Sequence, residues 1–216
     1  MLTIKSFIVN SIEENCYVVS DETKEAVIID CGTQTKEEFQ VIDDYIRSQQ
    51  LRPAHLLNTH GHFDHIWGDG FVYDAYGLKP EIHPDDLFLY ENVTDQFLTI
   101  LHRAIPITLP SVGRLFEPDD VISWGTHQFK VIASPGHTPG GVCFLCEEES
   151  VLFTGDTIFR HAIGRTDLPY GNTDAMQSSL IRHILTLPKT IRIFPGHGEP
   201  STIGEEQRFH GVEFLS

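Results

Sequence analysis

Apolar and polar positions alternate over the opening residues, and the period of two predicts strands near 2–9, 15–20 and 26–30, the last ending in Asp30-Cys31-Gly32. The period then lengthens. Phe39, Ile42 and Ile46 recur at helical spacing behind Thr35-Lys36-Glu37-Glu38, which has the form of a capping box. Ala54-His55-Leu56-Leu57-Asn58 is a short apolar run that reads as a buried strand feeding a histidine-rich segment. Residues 84–102 read as helix, entered at Pro84 with Asp85 and Asp86 in the first turn. A less regular stretch with Pro106, Pro110 and Gly113 follows, and in residues 84–118 we look for a cover over a site. Strands are expected near 121–123, 127–133, 141–147 and 150–154. A helix from about 173 to 186 carries Met176, Leu180 and Ile184 and stops before Pro188, and Arg192-Ile193-Phe194 is a final strand. No repeat, low-complexity tract or linker interrupts this series, so the expectation is one domain over residues 1–216.

A chain of 216 residues, 40% hydrophobic and 21% charged, has ample material for a core. The formal net charge of −16 repels phosphate backbones, which argues against a nucleic-acid partner. No run approaches the roughly 18 apolar residues of a membrane span. The start, Met1 to Asn10 followed by Glu13 and Glu14, lacks the apolar stretch of a signal peptide. Cys16, Cys31, Cys143 and Cys146 do not form a disulfide framework in a chain this long, so the expected address is cytoplasmic. Cys143-Phe144-Leu145-Cys146 has metal-knuckle spacing, but it sits in an apolar run with no second cysteine pair and reads as core strand.

The chemistry is concentrated in Thr59-His60-Gly61-His62-Phe63-Asp64-His65, directly after a predicted strand. Imidazole suits zinc and its neighbours, and an adjacent carboxylate supplies charge for a second cation. In extended backbone His60 and His62 share a face, and a turn into helix after them would aim Asp64 and His65 elsewhere. Three further donors each stand at a strand end among small residues: His137 in Ser134-Pro135-Gly136-His137-Thr138-Pro139-Gly140, Asp156 in Thr154-Gly155-Asp156, and His197 in Pro195-Gly196-His197-Gly198. Each alone is as compatible with an ordinary turn. With the first cluster they complete a two-metal donor set.

This ordered set of motifs resembles the metallo-β-lactamase superfamily over nearly the whole chain. Within it the sequence is most similar to the glyoxalase II group, the hydroxyacylglutathione hydrolases, and to their short bacterial relatives. Gly164-Arg165-Thr166-Asp167-Leu168-Pro169 and Ser201-Thr202-Ile203-Gly204 add to the likeness. The resemblance implies an α+β, four-layer αββα sandwich of two mixed sheets flanked by helices, with metals at one edge. It implies that His60, His62 and His137 hold one metal, that Asp64, His65 and His197 hold another, and that Asp156 bridges them. The expected cofactors are two divalent ions, zinc first, with iron or manganese also used in such sites. The helical extension that binds glutathione in full-length glyoxalase II is not expected, since 19 residues follow His197, ending Glu213-Phe214-Leu215-Ser216.

The implied activity is hydrolysis of S-acylglutathione or a related thioester by a metal-bridging hydroxide, with Asp64 and Asp156 as the catalytic carboxylates. Arg165 and Tyr170 are the candidate substrate contacts, and for Arg165 an ion pair with Asp167 is an equal alternative. Asn15 and Tyr17 approach from the early strand without an assigned role. The competing readings are a mononuclear iron persulfide dioxygenase, a nuclease, and a metal-binding module without catalysis. A small-molecule thioester is the expected partner, with no nucleic acid and no membrane.

Overall fold

A computed structural model describes residues 1–211, so the terminal Glu213–Ser216 segment lies outside the described residues. Among the described residues no helix is long and apolar enough to cross a membrane. Strands β1 (Thr3–Val9), β2 (Glu14–Ser20) and β3 (Glu25–Ile29) form an antiparallel meander. Helix α1 (Lys36–Ser48) then crosses over, and β4 (Arg52–Leu57) returns parallel to β3. The Thr35 hydroxyl and Glu38 carboxylate cap α1 reciprocally, as the spacing predicts. Short parallel strands β5 (Pro80–Ile82) and β6 (Arg114–Leu115) complete a six-stranded mixed sheet in the order β1-β2-β3-β4-β5-β6.

The second sheet is built from β7 (Val121–Trp124), β8 (His127–Ala133), β9 (Val142–Cys146), β10 (Val151–Gly155), β13 (Arg192–Pro195) and β14 (Ser201–Thr202). It too is mixed, because β13 runs parallel to β10 while its other pairings are antiparallel. A separate two-stranded hairpin is made by β11 (Ile158–Phe159) and β12 (Ala162–Ile163).

The faces of the sheets explain the layering. Tyr17, Val19, Val27, Ile29, Phe129, Phe144 and Phe153 alternate onto the inner faces and pack sheet on sheet. The opposite face of the first sheet presents Cys16, Val18 and Ile28 to Phe39, Ile42 and Ile46 of α1 and to Val72 of α3 (Asp69–Tyr76). The second sheet's outer face packs Cys143, Leu145, Leu152 and Ile193 against Met176 of α6 (Thr173–Ser179) and Ile203 of α7 (Ile203–Phe209). Helix, sheet, sheet and helix are thus the four layers expected. All four cysteines are buried and free, and burial pushes the Cys143 thiol up to about 11, so the Cys143/Cys146 pair is core.

Three expectations are corrected. The helix expected over 84–102 is three pieces: a 3-10 turn at Pro84–Asp86, α4 (Leu87–Glu91) and α5 (Val93–Leu101), broken at Asn92. Likewise, the helix expected to 186 is α6 followed by a π-helical stretch at Leu180–Ile184, whose wider turn keeps Leu180 and Ile184 both buried. The irregular stretch also does not cover the site. Ile105, Ile107, Leu109 and Val112 pack beside α2 (Phe63–Ile66) and α5, and the Tyr90 hydroxyl donates to the Pro110 carbonyl. That stretch walls a separate cavity of about 650 Å³ instead.

Candidate metal centre

The seven predicted donors converge at one edge of the sandwich, where strand ends of both sheets meet. Loop 58–62 leaves β4 in the first sheet, while His137, Asp156 and His197 follow β8, β10 and β13 in the second. The edge is stitched together by backbone: Asn15 N–H donates to the Gly196 carbonyl (2.7 Å), Val142 N–H to the Thr59 carbonyl (2.9 Å), and Glu14 bridges to His197. After His62 the chain does turn into helix, and α2 carries Asp64 to His197 (3.2 Å) while the His65 ring stays 4.1 Å from that of His60.

Two triads result. Donor atoms of His60, His62 and His137 lie within 4.8 Å of one another, as do those of Asp64, His65 and His197. Asp156 stands between them, with Oδ2 3.4 Å from His137 Nε2 and Oδ1 3.4 Å from His65 Nε2. Asp64 Oδ2 is 3.2 Å from His197 Nε2 and 3.7 Å from His65 Nε2.

The partners of the imidazoles reveal which nitrogens face inward. His65 Nδ1 donates to Asp30 Oδ2 (3.0 Å), His137 Nδ1 to the Arg165 carbonyl (2.7 Å) and His197 Nδ1 to the Glu13 carbonyl (3.2 Å). His60 Nδ1 donates to Thr59 Oγ1 (3.0 Å), whose own hydroxyl donates to Asp30 Oδ2 (2.7 Å). With Nδ1 committed to these acceptors, the nitrogen each ring leaves for a metal is Nε2, which is how metal-ligating histidines are oriented.

His60 Nε2, His65 Nε2 and Asp156 Oδ1 are buried with no hydrogen-bond partner. An orphaned buried polar atom is costly, and these three, within 4.8 Å of one another across the two triads, fit a centre that binds cations. His62 Nδ1 faces His137 Nε2 at 2.8 Å, an approach of two basic nitrogens that a shared cation satisfies. Burial pushes His60 well down and His62 to about 3, so both are neutral donors. Burial also disfavours charge on His65, but Asp156, Asp64 and Asp30 outweigh it and push this imidazole up. Burial likewise works against Asp156, and the surrounding imidazoles, His65 foremost, hold its carboxyl well below the usual range.

Two glycines make the approach possible. A Cβ at Gly196 would sit 2.6 Å from His65 Cε1 and collide with Asp156 Oδ1. Gly155 takes a positive φ of 46°, and a Cβ there would strike the Thr59 side chain.

Several positioning residues escaped the sequence reading. Asp30 also accepts from Thr59 N–H at 2.7 Å, so its carboxylate serves two donor loops. Asp86 accepts from Gly61 N–H (2.8 Å) and Gly140 N–H (2.6 Å), tying the His60–His62 loop to the His137 loop. Gln96 accepts from Phe63 N–H and donates to the Gly61 and Leu89 carbonyls. Their only sequence signal is position: Asp30 ends a strand, and Asp86 falls in a helical first turn.

Asn15 and Tyr17 do not reach the site. Asn15 Nδ2 donates to the Pro195 and Gly198 carbonyls and the Tyr17 hydroxyl to that of Pro195, so both hold the His197 loop. Arg165 lines the cavity at the centre, yet its guanidinium is held by Asp167 through two hydrogen bonds of 2.8 Å. Tyr170 lies outside that cavity, edge-on to Phe88 at 4.8 Å, in an adjoining cavity that includes His62.

Known proteins resemble this chain in sequence and fold. The chain is 34% identical over 209 residues to the hydroxyacylglutathione hydrolase GloC of Haemophilus influenzae, covering 96% of each. Among solved structures, the BLEG-1 B3 metallo-beta-lactamase superposes with a TM-score of 0.87 at 32% identity, covering 95% of this chain and 97% of that one. TTHA1623, solved in a di-iron-bound form, superposes with a TM-score of 0.83 at 34% identity, covering 95% and 98%. The sequence pattern of one family matches residues 12–197, a span that takes in every donor from His60 to His197, and on that match the chain belongs to the metallo-beta-lactamase superfamily.

Proposed function

We propose that this protein is a binuclear metal-dependent hydrolase acting on thioesters, S-acylglutathione or a related one. The observation that carries the reading is Asp156, which sets one carboxylate oxygen beside a histidine of each donor triad. In this reading His60, His62 and His137 hold one divalent ion, Asp64, His65 and His197 hold the other, and Asp156 serves both. Zinc suits the nitrogen-rich first triad, while the di-iron relative and the added carboxylate of the second make iron or manganese the alternatives. When bound, such a pair lowers the pKa of a water and polarises an acyl carbonyl.

The lining of the cavity supports a thioester in particular. It measures about 410 Å³, and its walls beyond the donors are Ile12, Phe63, Ile100, Phe159, Ala162, Ile163 and Leu168, together with Arg165, whose guanidinium is held by Asp167. Among the described residues lining it there is no Ser, Thr, Cys, Lys or Tyr, so no side chain is placed as covalent nucleophile. Nor is there a protonated group spare to assist a leaving amine or alkoxide. A thiol with a pKa of roughly 8.5 leaves without that help. Asp64, paired with His197, is placed to accept a hydrogen bond from the attacking water, and the apolar walls exclude competing solvent. The name of the GloC relative makes S-lactoylglutathione the first substrate to test.

The experiment is turnover by metal-replete enzyme against S-lactoylglutathione, simple S-acyl thiols, the matching amides and a β-lactam, with chelated enzyme as control. Thioester hydrolysis abolished by chelation is expected. Absence of thioester turnover, or oxygen consumption with a persulfide, would overturn the reading.

A further inference from the structure

The metal cavity continues into a second one of about 480 Å³, and His62 and Ile100 line both. The two lobes differ in chemistry. The inner lobe is apolar around the donors and suits the acyl half of a substrate. The outer lobe, floored by α4 and α5, presents Phe88, Asn92, Asp95, Thr99 and Tyr170. A thioester whose carbonyl sits at the donors and whose acyl group fills the inner lobe must direct its thiol half past His62 into the outer one.

That outer lobe holds no lysine or arginine among its described lining residues. Its one carboxylate outside the metal donors is Asp95, which is exposed and, among the described residues, has no ion-pair partner. Gln96 is fully committed to the backbone of Gly61, Phe63 and Leu89, and Asn92 donates to the Phe88 carbonyl. The same lobe is lined by Phe88 and Tyr170, whose rings pack edge to face at 4.8 Å. The cation nearest the path, Arg165, is neutralised by Asp167. An unpaired carboxylate beside aromatic rings, in a chain of net charge −16, is a setting that favours a cation and disfavours an anion.

We infer that the outer lobe is the thiol-carrier subsite and that it selects a carrier bearing an ammonium group, with Asp95 as the residue that sets this specificity. The inference rests on the thioesterase reading and narrows its substrate class. Glutathione, with two carboxylates and one ammonium, is then a poor carrier for this enzyme.

Binding of non-hydrolysable thioethers reads carrier selection without turnover. The S-butyl ethers of thiocholine and of 2-mercaptoethanesulfonate share a two-carbon spacer and differ in charge, and sulfonate is a weak metal ligand. S-butyl 3,3-dimethylbutanethiol is the neutral isostere of the first. Calorimetry on zinc-loaded enzyme should rank them cation, neutral, anion. The cation should exceed the neutral by about three- to thirtyfold, the combined size of an exposed cation–π contact and an exposed ion pair. Asp95→Asn should remove most of that preference and Asp95→Lys should reverse it. Both changes lie on an exposed helix face and spare the metal donors.

Equal binding of the three ethers, tightest binding of the sulfonate or of S-butylglutathione, or an unchanged preference in Asp95→Asn would overturn the inference. Hydrolysis of butyrylthiocholine by the same preparation tests the chemistry separately. Charge selection without turnover would fault the thioesterase reading alone, and turnover without charge selection would fault only the carrier subsite.

Discussion

Replacing Asp30 by Asn tests how the second triad is built. The Asp30 carboxylate accepts from Thr59 N–H (2.7 Å), Thr59 Oγ1 (2.7 Å) and His65 Nδ1 (3.0 Å). An amide of the same shape keeps one acceptor oxygen and turns an NH2 toward the other two groups. If the oxygen stays on the Thr59 N–H, the NH2 confronts His65 Nδ1 and favours the tautomer protonated at Nε2. That nitrogen has no other partner and is the one aimed at the cation, so its lone pair is lost. The same amide also disturbs the Thr59 hydroxyl that orients His60. Loss of such an orienting partner costs about 10–100-fold in metal affinity, which is roughly 1.4–2.7 kcal/mol. Competition with a chromophoric chelator, measured for both binding steps, reads the change directly. Asp30→Asn should weaken one step by that factor and the other by less. Two wild-type binding steps in a folded Asp30→Asn protein would refute the argument that Asp30 sets the His65 tautomer.

Three further outcomes are expected. Gly196→Ala drives a methyl between Asp156 and His65, so the variant should lose bound metal, with the loss read by elemental analysis of folded protein. Asp156→Asn weakens one charge contact to each ion and should lower turnover by about a hundredfold or more, with loss of at least one metal; near-normal kinetics would mean the centre is misassigned. His55 is hydrogen-bonded to Glu81 at 2.5 Å, and this bond pushes its pKa up against the opposing effect of burial. Because the folded state favours the imidazolium, the pair contributes fully below the unfolded value of about 6.5 and is lost as pH rises through the higher folded value. Thermal melts between pH 6 and 8 should therefore show a pH-dependent fall that Glu81→Gln abolishes.

The donor motifs were legible because each ends a strand whose apolar pattern is plain, and because His60-Gly61-His62-Phe63-Asp64-His65 packs four donors into six positions. Helix α1 was legible from its cap and its period. What stayed hidden depends on tertiary neighbours. β5 and β6 are too short to carry a period, and they are strands only because β4 offers an edge to β5 and β5 in turn to β6. α2 has four residues and no side-chain cap. The break at Asn92 shows in no propensity, since Gln96 stapling Gly61 and Phe63 fixes how α5 lies on the donor loop. Helix α7 did leave a signal, the Thr202 hydroxyl accepting from Glu205 N–H, which the pattern reading passed over. Arg165 illustrates the remaining limit: its backbone carbonyl orients His137 while its guanidinium pairs with Asp167, and no sequence pattern separates those roles.

The central claim is that one carboxylate, Asp156, joins two donor triads into a two-ion site. The most direct test is the number of divalent ions bound per chain at saturation, by equilibrium dialysis of chelator-stripped protein against zinc followed by elemental analysis. The account predicts two, with the second lost in a His197→Ala variant and the first retained. A saturating value of one, unchanged by excess metal and untouched by His197→Ala, would contradict it.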